Sequence, residues 1–288
     1  MLVLFSGCYL LYSFELRVPT PAPHNAEAVF HVRVPKGYDA SSPELCRVMV
    51  YFGGRNVSGE KESEGHWGWA KWCDANNVFL LCPGFQDDDY WEPSVWSGQA
   101  LLDALAMLRR NYRVCVTRVF YCGYSAGAQA ASLFAGWRPE LCRAWVSLAG
   151  GIFHRPHPLL RGMPGLVTCG DADTVRYLAG RQFVAAARQA GEEVIWRGYP
   201  NQDHGIPQEA FTLAQEFLKF YHELYREDLR PNADGRTPAK PIPVKFIGDA
   251  EEGVFYAPDS RRLRRVPAAH RVPLPSREIA EAWGDEGE

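Results

Sequence analysis

Residues 119–128 read Val119-Phe120-Tyr121-Cys122-Gly123-Tyr124-Ser125-Ala126-Gly127-Ala128, and this stretch decides the fold. The apolar residues at its start are typical of a buried strand, and the small residues after the serine are typical of a helix. Gly123 and Gly127 stand two residues either side of Ser125, where larger side chains would collide in a sharp turn. The pattern predicts a strand, a tight turn and a helix, with the serine hydroxyl held out at the C-terminal edge of a sheet.

Strand-like and helix-like stretches alternate on both sides of this turn. Residues 47–52 and 78–82 are continuous apolar runs that end at glycine or proline, as buried strands do, and residues 97–112 and 207–225 have helical spacing of apolar side chains. Such alternation is typical of a mostly parallel sheet. The sequence therefore predicts an α/β fold with about eight strands, flanked by helices on both faces.

Length and composition bound the domain organisation. The chain has 288 residues, of which 47% are apolar, which is enough for one large α/β domain with additions. The composition shifts at Pro231, after which proline, arginine and glutamate are frequent. We expect residues 1–230 to form the main domain and residues 231–288 a C-terminal appendage.

Charge and apolar patterning exclude several classes of partner. The formal net charge is −3, which gives no electrostatic case for binding nucleic acid. No stretch is long and apolar enough to span a bilayer. Residues 1–11 are apolar but lack a basic leader, so a cytoplasmic location is favoured, with export or lipid anchoring through this segment as the alternative. The sequence does not indicate the oligomeric state.

Eight cysteines are present, several of them inside apolar runs, and no Cys-x-x-Cys pair occurs. Cysteines in such runs behave as small buried apolar residues. We expect reduced thiols. We expect no metal site, since the one His-x-x-His spacing, at His154 and His157, has no acidic ligand beside it in the sequence.

Four short motifs follow one another along the chain, namely Tyr51-Phe52-Gly53-Gly54, Gly123-Tyr124-Ser125-Ala126-Gly127, Gly170-Asp171-Ala172-Asp173 and Asp203-His204-Gly205. With these motifs the chain resembles the α/β-hydrolase family. It is most similar to the small serine esterase branch, which includes esterases, dienelactone hydrolases and polyhydroxybutyrate-depolymerase-like proteins. The resemblance covers roughly residues 30–225. It implies a hydrolytic catalytic domain within residues 1–230 that needs no cofactor.

The resemblance assigns a catalytic triad. Ser125 is the expected nucleophile, and His204, in a loop between a strand and the last long helix, is the expected base. The acid is expected at Asp173, three residues after the glycine, with Asp171 as a rival. His222, His154 and His157 are weaker candidates for the base. His222 lies within the last helix and is expected to have a surface or helix-packing role. His154 and His157 are expected to be solvated, with a position at the mouth of the pocket as the alternative.

An oxyanion hole needs backbone N–H donors beside the serine. Ala126 is expected to supply one donor and Gly54 the other, with Arg55 next in line. The family often has His-Gly where this chain has Phe52-Gly53, so the hydrogen bonds of that loop are in doubt but the backbone donor is not. The alternative is a plain Gly-Gly turn that ends a strand.

Several residues near these motifs are expected to touch substrate: Arg55, Tyr124, Trp91 and Trp96. The connection over residues 150–165 is too short for a large lid, which favours an open pocket and a small or polysaccharide-linked ester. Because an acyl-enzyme mechanism does not distinguish esters from amides, a serine peptidase of the same fold remains open. The third reading is a non-catalytic binding protein of this fold.

Overall fold

A computed structural model of the protein describes residues 12–21, 27–85, 89–231 and 240–287. The apolar segment over residues 1–11, on which the export alternative depends, lies outside these ranges. Among the residues described, no helix combines the length and apolar character that crossing a bilayer requires.

The main sheet has eight strands in the order β1-β2-β4-β3-β5-β6-β7-β8. They are β1 (Ser13–Pro19), β2 (Glu27–Arg33), β3 (Cys46–Phe52), β4 (Val78–Pro83), β5 (Val114–Tyr124), β6 (Cys142–Leu148), β7 (Pro164–Gly170) and β8 (Glu193–Tyr199). β1 and β2 are antiparallel to their neighbours, and β3 to β8 are all parallel. The prediction of a mostly parallel sheet is confirmed.

Helices cover both faces of this sheet. They are α1 (Gly59–Ser63), α2 (Trp69–Asn76), α3 (Ser97–Asn111), α4 (Ala126–Trp137), α5 (Thr174–Ala190), α6 (Gln208–Leu224) and α7 (Arg277–Trp283). Apolar side chains of α3, α4 and α5 join one buried cluster, and those of α2, α6 and α7 join the other. Alternate residues of each central strand point into opposite clusters, which is why β3, β4 and β6 are apolar or buried at every position.

The C-terminal segment packs back on the main sheet. It forms a second sheet of β9 (Phe246–Asp249), β10 (Val254–Tyr256), β11 (Arg271–Leu274) and β12 (Asp285–Glu286), and carries α7. Its buried side chains belong to the same apolar cluster as those of α6. The Trp283 indole N–H donates to the Trp196 carbonyl in β8, at 3.4 Å. This segment therefore covers part of the face that α6 leaves open.

All seven cysteines in the described ranges are unpaired and buried. Burial disfavours the thiolate and raises the pKa of Cys46 to about 11 and that of Cys169 to about 12. The thiols of Cys46 and Cys169 are therefore protonated near neutral pH and pack as small apolar groups.

Candidate active site

Ser125 occupies the sharp turn between β5 and α4. Its backbone has φ 57° and ψ −119°, a conformation that non-glycine residues rarely adopt, and its N–H donates to the Leu148 carbonyl at 2.9 Å. The two flanking glycines are required by space, because a Cβ on Gly123 would lie 2.1 Å from the Gly127 carbonyl oxygen and one on Gly127 would lie 2.0 Å from that of Phe52. The turn predicted from the sequence is therefore present, held by close backbone contacts.

Ser125, His204 and Asp173 come together at the C-terminal edge of the sheet. The Ser125 Oγ lies 2.7 Å from His204 Nε2, and His204 Nδ1 lies 2.8 Å from Asp173 Oδ2. With Nδ1 protonated, the imidazole donates to the carboxylate and accepts the serine proton at Nε2. The Asp173 side chain is only 10% exposed, whereas that of His204 is 37% exposed, so the histidine faces the open side.

Asp173 and its rival Asp171 have different partners. Asp173 is the N-cap residue of α5, but its side chain makes no capping hydrogen bond and turns toward His204 instead. Asp171 Oδ1 accepts from the Asn201 N–H at 2.7 Å and so fastens the turn after β8. The geometry places Asp173 beside the histidine and gives Asp171 a role in loop structure.

The loops that carry the acid and the histidine are joined directly. The Ala172 N–H donates to the Gln202 carbonyl at 2.9 Å. Gly170 allows this approach, since a Cβ there would lie 2.2 Å from the Gln202 carbonyl oxygen. These contacts fix the separation of Asp173 and His204.

Tyr124 holds the histidine rather than presenting its hydroxyl to solvent. That hydroxyl donates to the His204 carbonyl at 2.8 Å, and the ring stacks on the imidazole with centroids 5.4 Å apart. Sequence reasoning expected Tyr124 at the substrate, and the structure gives its hydroxyl a partner in the histidine loop.

The Gly-Gly turn after β3 lies against the nucleophile. A Cβ on Gly54 would lie 3.8 Å from Ser125 Cβ, so this backbone passes beside the serine. Ala126 is the first residue of α4, where the N–H has no carbonyl one turn earlier to bond. Tyr90, which the sequence did not single out, donates its hydroxyl to the Gly53 carbonyl at 3.2 Å and supports this turn.

Arg176 is a second residue that sequence reasoning missed. Its Nη1 lies 3.2 Å from both carboxylate oxygens of Asp173, and its side chain is 40% exposed. A residue three positions after an N-terminal aspartate lies on the same side of a helix, so the spacing alone could have indicated the pair. The Asp173 carboxylate therefore contacts both the guanidinium of Arg176 and the imidazole of His204.

The tryptophans expected at the substrate lie elsewhere or are partly covered. Trp96 is 4% exposed, packs on Phe85 with centroids 4.9 Å apart and donates its indole N–H to Asp89 Oδ1 at 2.7 Å. It is a core residue, because the loop before α3 folds inward over the sheet. Trp91 is half-buried against Tyr90, with centroids 5.6 Å apart. Arg55 is exposed beside the Gly-Gly turn, as expected.

His154 was expected to be solvated, and that expectation is wrong. It is 6% exposed, with Nδ1 2.9 Å from Ser132 Oγ and Nε2 2.9 Å from Glu192 Oε2. Gly136 lets α4 approach the ring closely, and Glu192, distant in sequence, supplies the carboxylate. His157 is exposed, as expected. Within the described part of the chain, no group of three or more His, Cys, Asp or Glu is placed to hold a metal.

Two exposed apolar residues are sequence neighbours of a glycine and an arginine that touch near Asp173. Gly151, at the end of the β6 connection, lies against Arg176, with a Cβ position 3.0 Å from the arginine Cγ. Their neighbours Ile152 and Val175 are 47% and 80% exposed. Large apolar side chains with this exposure beside a reactive group are candidates for contact with an apolar part of a ligand.

No family model and no curated protein matches the sequence. Solved structures do match. A thermostable esterase aligns with a TM-score of 0.57 and 17% sequence identity. The alignment covers 74% of this chain and 63% of that esterase. A CE1 ferulic acid esterase from Anaeromyces mucronatus aligns with a TM-score of 0.57 at 15% identity, over 76% of this chain and 95% of that one.

The chain has the α/β-hydrolase fold. A putative dipeptidyl aminopeptidase IV from Bacteroides ovatus also aligns, with a TM-score of 0.58 at 13% identity, over 73% of this chain and 35% of that one. The fold expected from the four short motifs is therefore confirmed. At these identities the likeness extends to the fold alone.

Proposed function

We propose that this α/β-hydrolase is a serine hydrolase that cleaves a carboxylic ester through an acyl-enzyme on Ser125. The observation that carries the proposal is the unbroken hydrogen-bonded series from the Ser125 hydroxyl through His204 to Asp173, at 2.7 and 2.8 Å. These are the separations at which a base can take the proton of a serine that attacks a carbonyl. The strained φ of 57° at Ser125 adds support, because such strain concentrates at functional sites.

In the proposed acylation, Ser125 Oγ attacks the ester carbonyl carbon while His204 Nε2 takes the hydroxyl proton. The imidazolium is stabilised by the Asp173 carboxylate at Nδ1. The carbonyl oxygen gains negative charge, and the backbone N–H groups of Ala126 and Gly54 are the proposed donors to it. Collapse of the intermediate expels the alcohol, which takes its proton from His204.

In the proposed deacylation, His204 activates a water molecule that attacks the acyl carbon. The acid product leaves, and Ser125 regains its proton from the imidazolium. Water and the three side chains suffice for this cycle, and no cofactor enters the proposal. Arg176 takes part only through its ion pair with the Asp173 carboxylate, at 3.2 Å.

Small esters, or esters carried on a polysaccharide, are the proposed substrates. The connection between β6 and β7 has 15 residues, and its regular structure is a single 3₁₀ turn at Pro158–Leu160. It offers little cover for a long acyl chain. The exposed Ile152 and Val175 suit a short apolar or aromatic acyl group at the rim.

Labelling by a fluorophosphonate probe tests the proposal without knowledge of the substrate. Wild type should label rapidly, and Ser125→Ala and His204→Ala should not label. Ser94→Ala changes an exposed serine away from the triad and should label as wild type. A well-folded wild type that fails to label would overturn the serine-hydrolase proposal in favour of a binding protein.

A substrate panel then separates ester from amide cleavage. Acetate, butyrate and palmitate p-nitrophenyl esters, methyl ferulate and dipeptide p-nitroanilides should be compared as substrates of the unlabelled wild-type enzyme. We expect turnover of acetate or butyrate above palmitate, and of esters above anilides. Faster cleavage of a dipeptide anilide than of any ester would replace the esterase proposal by the peptidase one.

A further inference from the structure

A cavity of about 440 Å³ lies away from the triad, between α5, β8 and the C-terminal segment. Tyr177, Arg181 and Arg188 line it from α5, and Trp196 lines it from β8. Glu251, His270 and Val272 close it from the C-terminal segment. Its volume falls within the range of about 300–1,000 Å³ that is usual for small-molecule sites.

The two arginines of this cavity lack carboxylate partners within the described residues. Arg188 Nε donates to the Val194 carbonyl at 2.9 Å, but its Nη2 is buried and has no hydrogen-bond partner among those residues. Burial lowers the pKa of Arg188, since it disfavours the charged form. A buried guanidinium with an unpaired N–H is costly unless an anion satisfies it.

Arg181 stands on the same face of α5 as Arg188, about 10 Å away along the helix axis. Its guanidinium lies 6.0 Å from the Tyr177 ring centroid, and the side chain is exposed at the mouth of the cavity. Long flexible side chains at these two positions can reach one anionic group from two sides. The arrangement supplies planar donors of the kind that carboxylates and phosphates bind.

The remaining walls are mostly apolar or aromatic. Trp196 and Val272 are buried at 6% and 1% exposure, and the Tyr177 ring packs edge-on against Trp196 with centroids 5.2 Å apart. Among the described residues, the one carboxylate that lines the cavity belongs to Glu251. This carboxylate lies 2.8 Å from His270 Nδ1, and the Glu251 side chain is 67% exposed. Its charge is therefore directed to the rim and to the histidine.

We propose that this cavity binds a small organic anion, with a phosphate or carboxylate group on Arg181 and Arg188 and an apolar body against Trp196 and Val272. Such a ligand would contact α5, β8 and the C-terminal segment together. It would therefore strengthen the attachment of that segment to the main sheet, because a ligand that binds only the packed form stabilises it.

The site is separate from the triad. Arg181 and Arg188 follow Asp173 by 8 and 15 residues along α5, which at about 1.5 Å per residue is roughly 12 and 22 Å. Binding here is therefore expected to survive the loss of Ser125.

Calorimetric titration of the full chain tests the proposal. The probes are phenyl phosphate, benzoate, inorganic phosphate and, as a neutral analogue, benzyl alcohol. We expect phenyl phosphate or benzoate to bind and benzyl alcohol not to bind. The one with the lower Kd shows whether the site prefers a phosphate or a carboxylate group. Arg181→Gln should weaken the Kd about tenfold, the loss of one charge-assisted contact, and Ser125→Ala should leave it unchanged.

Two further variants are compared with wild type: Arg188→Met changes the second arginine of the cavity, and Arg262→Gln is the control. Arg262 is exposed in the C-terminal segment, outside the cavity, and its replacement should not affect binding. Without ligand, Arg188→Met should unfold at no lower temperature than wild type, because it removes an unpaired buried charge. With the anion, the unfolding midpoint should rise for wild type and for Arg262→Gln but not for Arg188→Met.

Two outcomes would overturn the anion site. One is the absence of binding by both aromatic anions at millimolar concentration. The other is binding with the same Kd in wild type and Arg181→Gln. Because Arg181 is exposed, Arg181→Gln is expected to fold, so this test remains valid even if Arg188→Met does not fold.

Discussion

At the scale of single residues, Asp173 illustrates how a side chain is diverted from a local role. An aspartate before the first turn of a helix ordinarily accepts from backbone N–H groups of that turn. In α5 this capping bond is missing, and the carboxylate pairs with His204 and Arg176. The helix lacks the stabilising N-cap hydrogen bond because the carboxylate that could make it binds the imidazole instead.

Replacing each of the two neighbouring aspartates separates their roles. Asp173→Asn should lower kcat by about 1,000-fold or more, since the amide favours the wrong imidazole tautomer and cannot stabilise the imidazolium. Asp171→Asn keeps an oxygen that can accept from the Asn201 N–H and should change kcat by less than about tenfold. Steady-state kinetics on a short ester measures both. A larger loss in Asp171→Asn than in Asp173→Asn would reverse the assignment.

Tyr124 contributes through one hydrogen bond and one ring contact. Tyr124→Phe keeps the ring against the imidazole and removes the bond to the His204 carbonyl. We expect kcat/KM to fall about fivefold, the effect of one neutral hydrogen bond of about 1 kcal/mol. Tyr256→Phe, in the C-terminal segment, is the matched control and should match wild type. Equal kcat/KM in Tyr124→Phe and wild type would show that the hydroxyl does not position the histidine loop.

At the scale of elements, α6 carries a histidine that is kept neutral. His222 packs with its ring centroid 6.4 Å from that of Phe120, and its Nδ1 has no hydrogen-bond partner among the described residues. Burial, and then the charges of Arg47 and Arg226, lower the pKa of His222 to about 4, against a smaller opposing effect of Glu44. The helix thus holds an uncharged ring against the sheet.

This lowered pKa makes stability depend on pH. Between about pH 6.5 and 4 the unfolded chain binds a proton at His222 that the folded chain does not, so stability is lost as the pH falls. The free energy of unfolding should decline by about 1.4 kcal/mol per pH unit from this residue at most. Urea unfolding over this range should show a shallower decline in His222→Gln. His157→Asn, at an exposed histidine, should keep the wild-type slope, and equal slopes in wild type and His222→Gln would contradict the assignment.

Among the elements, the sequence predicted most accurately those that carry a clear local pattern of apolar residues or glycines. The apolar runs of β3, β4 and β5 and the glycines around Ser125 are visible as short local patterns in the sequence, although the contact that requires Gly127 is made with Phe52 of β3. The loop residues were harder to place. Trp96 and His154 are buried by contacts with distant residues, which no local pattern reveals.

At the scale of the whole molecule, the C-terminal segment completes the apolar layer on the α6 face. Trp283 is 1% exposed and lies over Gly248, where a Cβ would be 2.5 Å from the indole. Together with Val272, Leu274 and Ile279 it belongs to the cluster that contains the apolar face of α6. We propose that residues 231–288 stabilise the main domain and do not form a second catalytic unit.

Removing the Trp283 side chain tests this role. Trp283→Ala should lower the free energy of unfolding by about 3–5 kcal/mol, the usual effect of deleting a large buried aromatic group. Trp283→Phe keeps a ring in the groove and should cost less. Urea unfolding, followed by tryptophan fluorescence and circular dichroism, measures both. A loss below about 1 kcal/mol in Trp283→Ala would indicate that the segment is not part of the main core.

The sequence by itself determined the α/β architecture, the strained turn at Ser125 and the identity of the histidine and acid that the fold brings to it. The architecture and the turn follow from local apolar periodicity and glycine spacing, whereas the histidine and the acid follow from the resemblance to the α/β-hydrolase family. Only the tertiary structure decided that Tyr124 contacts His204, that Arg176 contacts Asp173, that His154 is buried with Glu192, and that a cavity lined by Arg181 and Arg188 lies against the C-terminal segment. The physical reason is that each of these depends on distances between side chains whose neighbours are set by the folding of the whole chain.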